Sequence, residues 1–139
     1  MKIIAFDVGG TAIKFGLVDE NFEVLFSEEF PTNTYKDTDN MVMRAMEAKL
    51  KEYEGQYDAI GISTAGQVDF ENGVINDGVG NIPNYNHSDL RGTFEKEFNV
   101  PVYLDVDLGH MAPSMPLVCG RCATVEYVDK TKLIITYNE

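Results

Sequence analysis

FDVGGTAIK, residues 6–14 of the 139-residue chain, places two adjacent glycines between two apolar segments. The run at residues 3–6 is typical of a strand that is buried on both faces. Ile13, Phe15 and Leu17 restore strand character after the glycines. The two glycines are therefore predicted to lie in a tight turn between two strands, where the missing Cβ lets backbone N–H groups approach a bound oxyanion.

The side chains around this turn fit a phosphate site. Thr11 brings a hydroxyl donor, Lys14 a cation, and Asp7 a carboxylate that can hold Mg²⁺ through water. With the backbone of Gly9 and Gly10 they form a candidate phosphate cradle. The same letters are equally compatible with an ordinary Gly-Gly hairpin turn, so the residues alone leave both interpretations open.

The composition is that of one globular domain, with 44% hydrophobic and 24% charged residues in a length too short for two full domains. A net charge of −12 without a Lys/Arg cluster argues against a nucleic-acid-binding face. Neither a membrane-spanning apolar run nor a signal-peptide pattern is found in the sequence. Both cysteines lie within residues 119–122 and make no disulfide framework, which favours a reducing cytoplasm.

Periodicity predicts the order βββαβ for the first half of the chain. Residues 23–30 form a third strand that closes an antiparallel meander, and residues 57–63 form a buried strand. Between them a helix is predicted from about Asp39, ended by Gly55. We interpret its apolar stripe as core rather than as a cofactor contact: Met43, Met46, Leu50 and Tyr53.

The strand at residues 57–63 leads into three small residues, Thr64, Ala65 and Gly66. Small residues at a strand end in an α/β sheet let a ligand approach the backbone. A plain turn into a hairpin, from residues 67–69 to 73–75, explains the same letters equally well. The residues alone do not choose between a binding edge and a structural turn.

A second helix and a further strand are predicted beyond this hairpin. Ser88 is in place to cap the helix, and Asn99 with Pro101 ends it before a strand at residues 101–104. The helix carries an apolar stripe with a spacing of four residues: Leu90, Phe94 and Phe98.

The D-x-G-G-T-x-x-K pattern at residues 7–14 resembles the phosphate loop of actin-like sugar kinases, in particular of the ROK family (repressors, open reading frames and kinases). GISTAGQVD at residues 61–69 and NIPNY at 81–85 are similar to the family's G-I-S-T/A-A/P-G-x-V-D and N-I-P-x-Y/W. The resemblance implies an α/β fold of the ribonuclease H-like, actin-like ATPase type, with a mixed sheet that starts as a three-stranded antiparallel meander. It makes residues 1–107 the N-terminal kinase domain.

The resemblance also implies a function, the ATP- and Mg²⁺-dependent phosphorylation of a hexose or N-acetylhexosamine such as glucose. The phosphates and Mg²⁺ would be held by the first loop: Asp7, Gly9, Gly10, Thr11 and Lys14. The sugar side would be lined by residues of the two later motifs: Thr64, Ala65, Gly66 and Asn81. Asp107 falls on the family's catalytic base, although Val106 replaces the neighbouring sugar-binding Asn, and an ordinary acidic loop is the alternative.

Residues 108–139 resemble a short piece of the family's second domain, its GHM and zinc-motif region. His110 and Glu126 match sugar-contacting positions of the family, and His110 also matches a zinc ligand. With Cys119 and Cys122 it supplies at most three of four zinc ligands, and C-x-x-C is equally compatible with chance or a weak redox pair. Residues 127–134 are similar to the start of the helix that follows the motif.

The second phosphate loop and most of the second domain have no counterpart in this sequence, so we expect an impaired kinase as an isolated chain. The alternative is a non-catalytic sugar-binding or interaction module. A regulator of the repressor branch is disfavoured, because the first strand begins at Lys2 without a preceding helix-turn-helix and because the chain is acidic. An apolar face left without a second domain predicts a homodimer. Sugar and ATP are the expected partners, without nucleic acid or membrane.

Overall fold

The computed structural model describes residues 1–77, 79–104, 123–129 and 132–137. Their elements in chain order are β1 (Lys2–Val8), β2 (Ala12–Asp19), β3 (Val24–Pro31), a 3₁₀ turn (Thr32–Tyr35), α1 (Met41–Glu52), β4 (Ala59–Thr64), β5 (Gln67–Asp69), β6 (Val74–Asp77), α2 (Leu90–Phe98), β7 (Val102–Leu104), β8 (Ala123–Asp129) and β9 (Lys132–Tyr137).

A five-stranded mixed sheet with the order β3-β2-β1-β4-β7 is the centre of the fold. The strands β1, β2 and β3 are antiparallel neighbours, whereas β4 and β7 extend the sheet from β1 in parallel. The parallel pairs require crossovers, which the chain makes through α1 and through the segment that contains α2. The predicted α/β fold, with its antiparallel meander and its order βββαβ…αβ, is confirmed.

The hydrophobic core lies between one face of this sheet and the two helices. Alternate residues of the strands, such as Ile4, Phe6 and Ile13, are buried there. From α1, Met46 and Leu50 are fully buried, and each such side chain contributes about 2 kcal/mol of hydrophobic free energy. The interpretation of the methionine stripe as core is confirmed, since its half-buried members, Met43 and Tyr53, also pack against this core.

The helix α1 begins at Met41, two residues after the predicted start at about Asp39, because Asn40 is its N-cap. The Asn40 Oδ1 accepts a hydrogen bond from the Met43 amide at 3.1 Å. The helix ends at Glu52, and Gly55 lies beyond it in a turn with φ of +79°. Just past this turn, Tyr57 donates its hydroxyl hydrogen to the Leu50 carbonyl at 3.1 Å, and burial raises the pKa of Tyr57 to about 12.

The predicted cap of α2 is wrong by one residue. Asp89 is the N-cap, and its Oδ1 accepts from the Gly92 amide at 2.7 Å. The Ser88 hydroxyl instead donates to the Tyr85 carbonyl at 2.6 Å, so it is not available to the helix. The C-terminal end is as predicted, because Asn99 takes the left-handed conformation that ends helices.

The prediction of a helix start at residues 127–134 is also wrong. Residues 123–137 contain the antiparallel pair β8 and β9. The two strands are rich in β-branched and aromatic residues, which favour a pleated sheet over a helix. On β8 the side chains of Thr124, Glu126 and Val128 are exposed, and their spacing of two residues puts them on one face of the strand.

Candidate functional site

The turn between β1 and β2, residues 9–11, is held by a threonine that follows β3. Thr32 is 1% exposed; its Oγ1 donates to the Gly9 carbonyl at 2.8 Å and its amide donates to the Thr11 carbonyl at 2.9 Å. Inside the turn the Gly9 amide donates to the Ala12 carbonyl at 3.0 Å. Within the described part of the chain, the amides of Gly10 and Thr11 have no acceptor, so both donors are open to an anion.

Charged side chains lie beside this turn on the sheet face opposite the core. Asp7 on β1 is paired with Lys14 on β2 and with Ser63 on β4, and all three are exposed. The Lys14 ammonium group lies 3.9 Å from a Glu29 carboxylate oxygen. An exposed ion pair of this kind contributes little, at most about 1 kcal/mol, so Lys14 can exchange Glu29 for a phosphate oxygen. The Asp7 carboxylate is an oxygen ligand of the type that Mg²⁺ prefers.

The end of β4 adjoins the same turn. The Ala65 amide donates to the Val8 carbonyl at 2.9 Å, which continues the pairing of β4 with β1 up to the turn at residues 9–11. Thr64 is buried, and its Oγ1 is hydrogen-bonded to the Tyr85 Oη at 2.7 Å. The predicted hairpin follows as β5 and β6. The binding of a ligand at this strand end stays a prediction.

Gly66 packs closely against the segment that follows β6. Its φ is +101°, a conformation that side chains disfavour, and a Cβ built on it would lie 2.4 Å from Cγ2 of Val79 and 3.0 Å from the Asp77 carbonyl oxygen. The glycine is therefore required for the segment after β6 to approach the end of β4.

Asn81 lies against the phosphate turn. A Cβ built on Gly10 would lie 2.3 Å from the Asn81 Nδ2. Asn81 itself is exposed, so its amide is accessible from solvent. The family resemblance implied a phosphate role for Gly10 and a sugar role for Asn81. Their contact shows that these two predicted positions lie side by side at one end of the sheet.

Three buried side chains that support these loops were missed by the sequence analysis. Thr32 had no distinguishing signal, because it reads as part of a strand end. Tyr85 belongs to the quoted NIPNY motif but was not given a role. Arg91, 8% exposed, donates from Nη1 to the carbonyls of Phe70 and Glu71 and so holds the β5–β6 turn, whereas the sequence of a helix with a single Arg usually indicates a surface residue.

Asp69, the last residue of β5 before this turn, has a lowered pKa. Hydrogen bonds from the Asn72 side chain and from the Asn72 amide stabilise the ionised carboxylate, and the Arg91 charge adds a smaller effect. The turn is thus fixed from inside by an Asx-type bond and from α2 by Arg91.

The remaining candidate residues lie elsewhere. Glu126 is exposed on β8. Asp107, His110, Cys119 and Cys122 fall outside the described residues, so the catalytic base and the zinc ligands stay predictions. Among the residues that are described, no cluster of three or more His, Cys, Asp or Glu side chains could hold a metal ion. No helix in the described ranges has the length and apolar character needed to cross a membrane.

Comparison with known sequences connects this chain to sugar kinases. It is 29% identical over 111 residues to a fructokinase of Streptococcus mutans, covering 76% of this chain and 36% of the relative. It is 28% identical over 108 residues to a glucokinase of Thermotoga maritima, covering 77% of this chain and 34% of the relative. The chain thus spans about a third of the length of these relatives.

Solved structures give the same result. The ROK hexokinase of Thermus thermophilus superposes with a TM-score of 0.58 at 31% identity, over 77% of this chain and 35% of that one. A ROK glucokinase of Streptomyces griseus, in complex with glucose and AMPPNP, superposes with a TM-score of 0.61 at 27% identity, over 77% and 33%. The family model described as ROK family matches residues 3–121. The chain therefore belongs to the ROK family and has the actin-like ATPase fold of that family's sugar kinases.

Proposed function

We propose that this chain carries the phosphate-binding and sugar-binding loops of a ROK sugar kinase. The reaction would move the γ-phosphoryl group of ATP to a hydroxyl of a hexose or N-acetylhexosamine such as glucose. The observation that carries the proposal is the contact between Gly10 and Asn81, which brings the turn after β1 and the segment after β6 to one end of the sheet. The glucose and AMPPNP bound by the Streptomyces griseus glucokinase support the same pair of ligands here.

On the nucleotide side, the open amides of Gly10 and Thr11 and the Thr11 hydroxyl bind phosphate oxygens, and Gly9 keeps the turn tight. Lys14 adds a positive charge once it leaves Glu29. Asp7 would hold Mg²⁺, and the bound ion would supply positive charge that neutralises the phosphates. Phosphoryl transfer is mostly a matter of positioning and charge neutralisation, and these are the two tasks of this turn.

On the sugar side, the ligand lies along the end of β4 and against the segment after β6. Asn81 offers an amide donor and a carbonyl acceptor to a sugar hydroxyl. Asp107 takes the proton of the sugar hydroxyl. The oxygen of that hydroxyl forms a bond to the γ-phosphorus while the bond between this phosphorus and the ADP oxygen breaks. The other residues proposed to line this side are Thr64, Ala65, Gly66, His110 and Glu126.

Assembly and compartment belong to the same proposal. Four of the exposed large hydrophobic side chains surround the turn between β2 and β3 and the nearby chain start: Met1, Phe22, Val24 and Leu25. Exposed apolar surface of this kind favours self-association, so we propose a homodimer, in the cytoplasm, with a division of the chain at residues 1–107 and 108–139. Light scattering on a size-exclusion column should give twice the chain mass, and a monomer at micromolar concentration would contradict the dimer.

Calorimetric titration of the purified chain tests the binding function. Mg·ATP, glucose and N-acetylglucosamine are titrated singly and in pairs. Saturable binding of Mg·ATP that one of the sugars strengthens supports the kinase, and Asp107→Asn should then abolish turnover. Sugar binding without ATP binding supports a non-catalytic sugar-binding module instead, and absence of heat with every ligand contradicts both.

The matched variant for this titration is Gly10→Ala. Among the described residues its new Cβ meets only the far end of the exposed Asn81 side chain, which can move away, so the fold is retained. The methyl group nevertheless occupies the space where the two loops meet, so we expect the affinities for Mg·ATP and for the sugar to fall together. Gly80→Ala is the control, because a Cβ there meets no atom of the described part of the chain within 4 Å.

A further inference from the structure

We infer that Asn40 is a positioning residue that ties the sugar-side loop, defined here as residues 81–88, to the start of α1. Three hydrogen bonds between residues 39–40 and this loop make the connection, which we call the tie. Its consequence for sugar binding rests on the proposed function, because the loop carries Asn81.

One side chain performs two tasks at this point. The Asn40 Oδ1 caps α1 by accepting from the Met43 amide at 3.1 Å. Its Nδ2 donates to the Asn84 carbonyl at 2.9 Å and to the Ser88 Oγ at 2.8 Å. The two loop partners are 44 and 48 residues away along the chain, so the contact joins distant segments. The acceptor thus serves the helix, and the donor serves the loop.

A second asparagine completes the tie from the other side. The Asn84 Nδ2 donates to the Asp39 carbonyl at 2.7 Å, next to the helix cap. Asn84 has a φ of +59°, a left-handed conformation that Asn tolerates better than most residues. The two asparagines therefore bind each other's segments in both directions, and the tip of the loop is fixed against α1.

The tie continues through hydrogen bonds to the sugar side of the sheet. Ser88, whose Oγ accepts from Asn40, donates to the Tyr85 carbonyl at 2.6 Å. Tyr85 is fully buried, and its Oη is bonded to the Thr64 Oγ1 at the end of β4. The loop is thereby held at two places, by Thr64 from the sheet and by Asn40 from the helix. If the helix contact is lost, Asn81 is less firmly kept against Gly10.

The variant Asn40→Asp separates the two tasks of Asn40. Asp is as good an N-cap as Asn, and its negative charge is favourable at a helix N-terminus, so α1 is retained. The carboxylate has no hydrogen to donate, so the bond to the Asn84 carbonyl is lost and an oxygen now faces that carbonyl. The contact with Ser88 is kept only if the Ser88 hydroxyl turns its hydrogen away from the Tyr85 carbonyl, so one bond of the loop is lost in either case. Asn33→Asp makes the same charge change at an exposed position outside the tie and is the control.

Hydrogen–deuterium exchange and calorimetry on the full chain read out the result. In Asn40→Asp we expect the amides of the sugar-side loop to exchange about tenfold faster, while α1 remains helical and the melting temperature falls by only a few degrees. We expect the dissociation constant for glucose to rise about fivefold, while that for Mg·ATP stays the same. If Asn40 only stabilised the fold, the variant would change the affinities for glucose and for Mg·ATP together.

A second variant removes the opposite half of the tie. Asn84→Gly keeps the left-handed backbone and loses only the bond to the Asp39 carbonyl, so the same changes should follow at a smaller size. Wild-type exchange rates in the Asn40→Asp loop would overturn the tie, and a loosened loop with unchanged glucose affinity would overturn its positioning role. If the wild-type chain binds no sugar, the proposed function fails, whereas the exchange rates still decide whether Asn40 holds the loop.

Discussion

Two loops meet at one end of the sheet, and they are held in different ways. The phosphate turn, residues 9–11, is set between two paired strands, and its main outside support is Thr32, which comes directly after the neighbouring strand. The sugar-side loop is supported by side chains from distant segments, above all by Thr64 and Asn40. The first loop therefore depends mainly on its own glycines and flanking strands, with one outside support from Thr32, whereas the second depends on several contacts across the assembled domain.

The largest effect is expected where the sugar side packs most closely, at Gly66→Ala. A Cβ there would be strained by the positive φ and would collide with Val79, so we expect the free energy of unfolding to fall by about 3 kcal/mol. Urea denaturation followed by circular dichroism measures the change. Gly80→Ala is the matched control and should unfold like the wild type. Equal stability of the two variants would contradict the close packing.

A buried hydroxyl remote from both loops provides a reference for stability alone. The pKa of Tyr57 is raised to about 12 by burial, against about 10 in an unfolded chain. Below pH 10 the Tyr57 hydroxyl is protonated in both the folded and the unfolded chain, so the free energy of unfolding does not change with pH through this group. Between pH 10 and 12 the unfolded chain releases this proton and the folded chain keeps it, which favours unfolding. Stability should therefore fall by about 2 kcal/mol over this range, relative to Tyr57→Phe. Parallel stability curves for the two proteins between pH 10 and 12 would refute this.

Thr32→Val tests the support of the phosphate turn. The variant loses the hydrogen bond to the Gly9 carbonyl and keeps the backbone bond to Thr11, so the loss of stability should be about 1–2 kcal/mol. Mg·ATP should bind about tenfold more weakly and glucose with unchanged affinity. Thr34→Val, which removes a hydroxyl from an exposed contact with Pro31, controls for the substitution. An equal loss for both ligands would mean that the two loops are not held independently.

Tyr85→Phe is the converse test and should have the smallest effect on stability. The Thr64 hydroxyl loses the Tyr85 partner but still contacts the Ala65 carbonyl at 3.2 Å, so the cost should be about 1 kcal/mol. Here the affinity for glucose should fall while that for Mg·ATP is kept. Tyr57→Phe also removes a buried hydroxyl and should change neither affinity, which makes it the control in the calorimeter.

The same division explains how much could be predicted from the sequence. The meander, the turn at residues 9–11 and the core stripe of α1 follow from short-range periodicity and from glycine positions, and all were predicted correctly. The cap of α2 was not, because Ser88 and Asp89 are both good caps and the choice depends on the bond from Ser88 to Tyr85. The hairpin of β8 and β9 was missed because a family resemblance outweighed the β-branched residues of the segment.

The supports of the candidate site were the least predictable part. The side chains of Thr32 and Asn40 bind partners that are 23 to 48 residues away along the chain. The sequence around them does not distinguish a buried threonine or a bridging asparagine from an ordinary loop residue. The site residues of the turn at residues 9–11 could be proposed from the sequence, because glycine, threonine and lysine have a direct chemical reason to lie in a phosphate-binding turn. Long-range ties have such a reason only once the fold is known.

The most direct measurement is a residue-resolved NMR titration of the chain, first with Mg·ATP and then with glucose. The proposed division of the site predicts that Mg·ATP shifts the amide signals of Gly10 and Thr11, and that glucose shifts those of Ala65, Gly66 and the Asn81 side chain. Saturable changes confined to these two groups would support a phosphate-binding and a sugar-binding loop at one end of the sheet. Saturating ligand concentrations that leave both groups unshifted would contradict it.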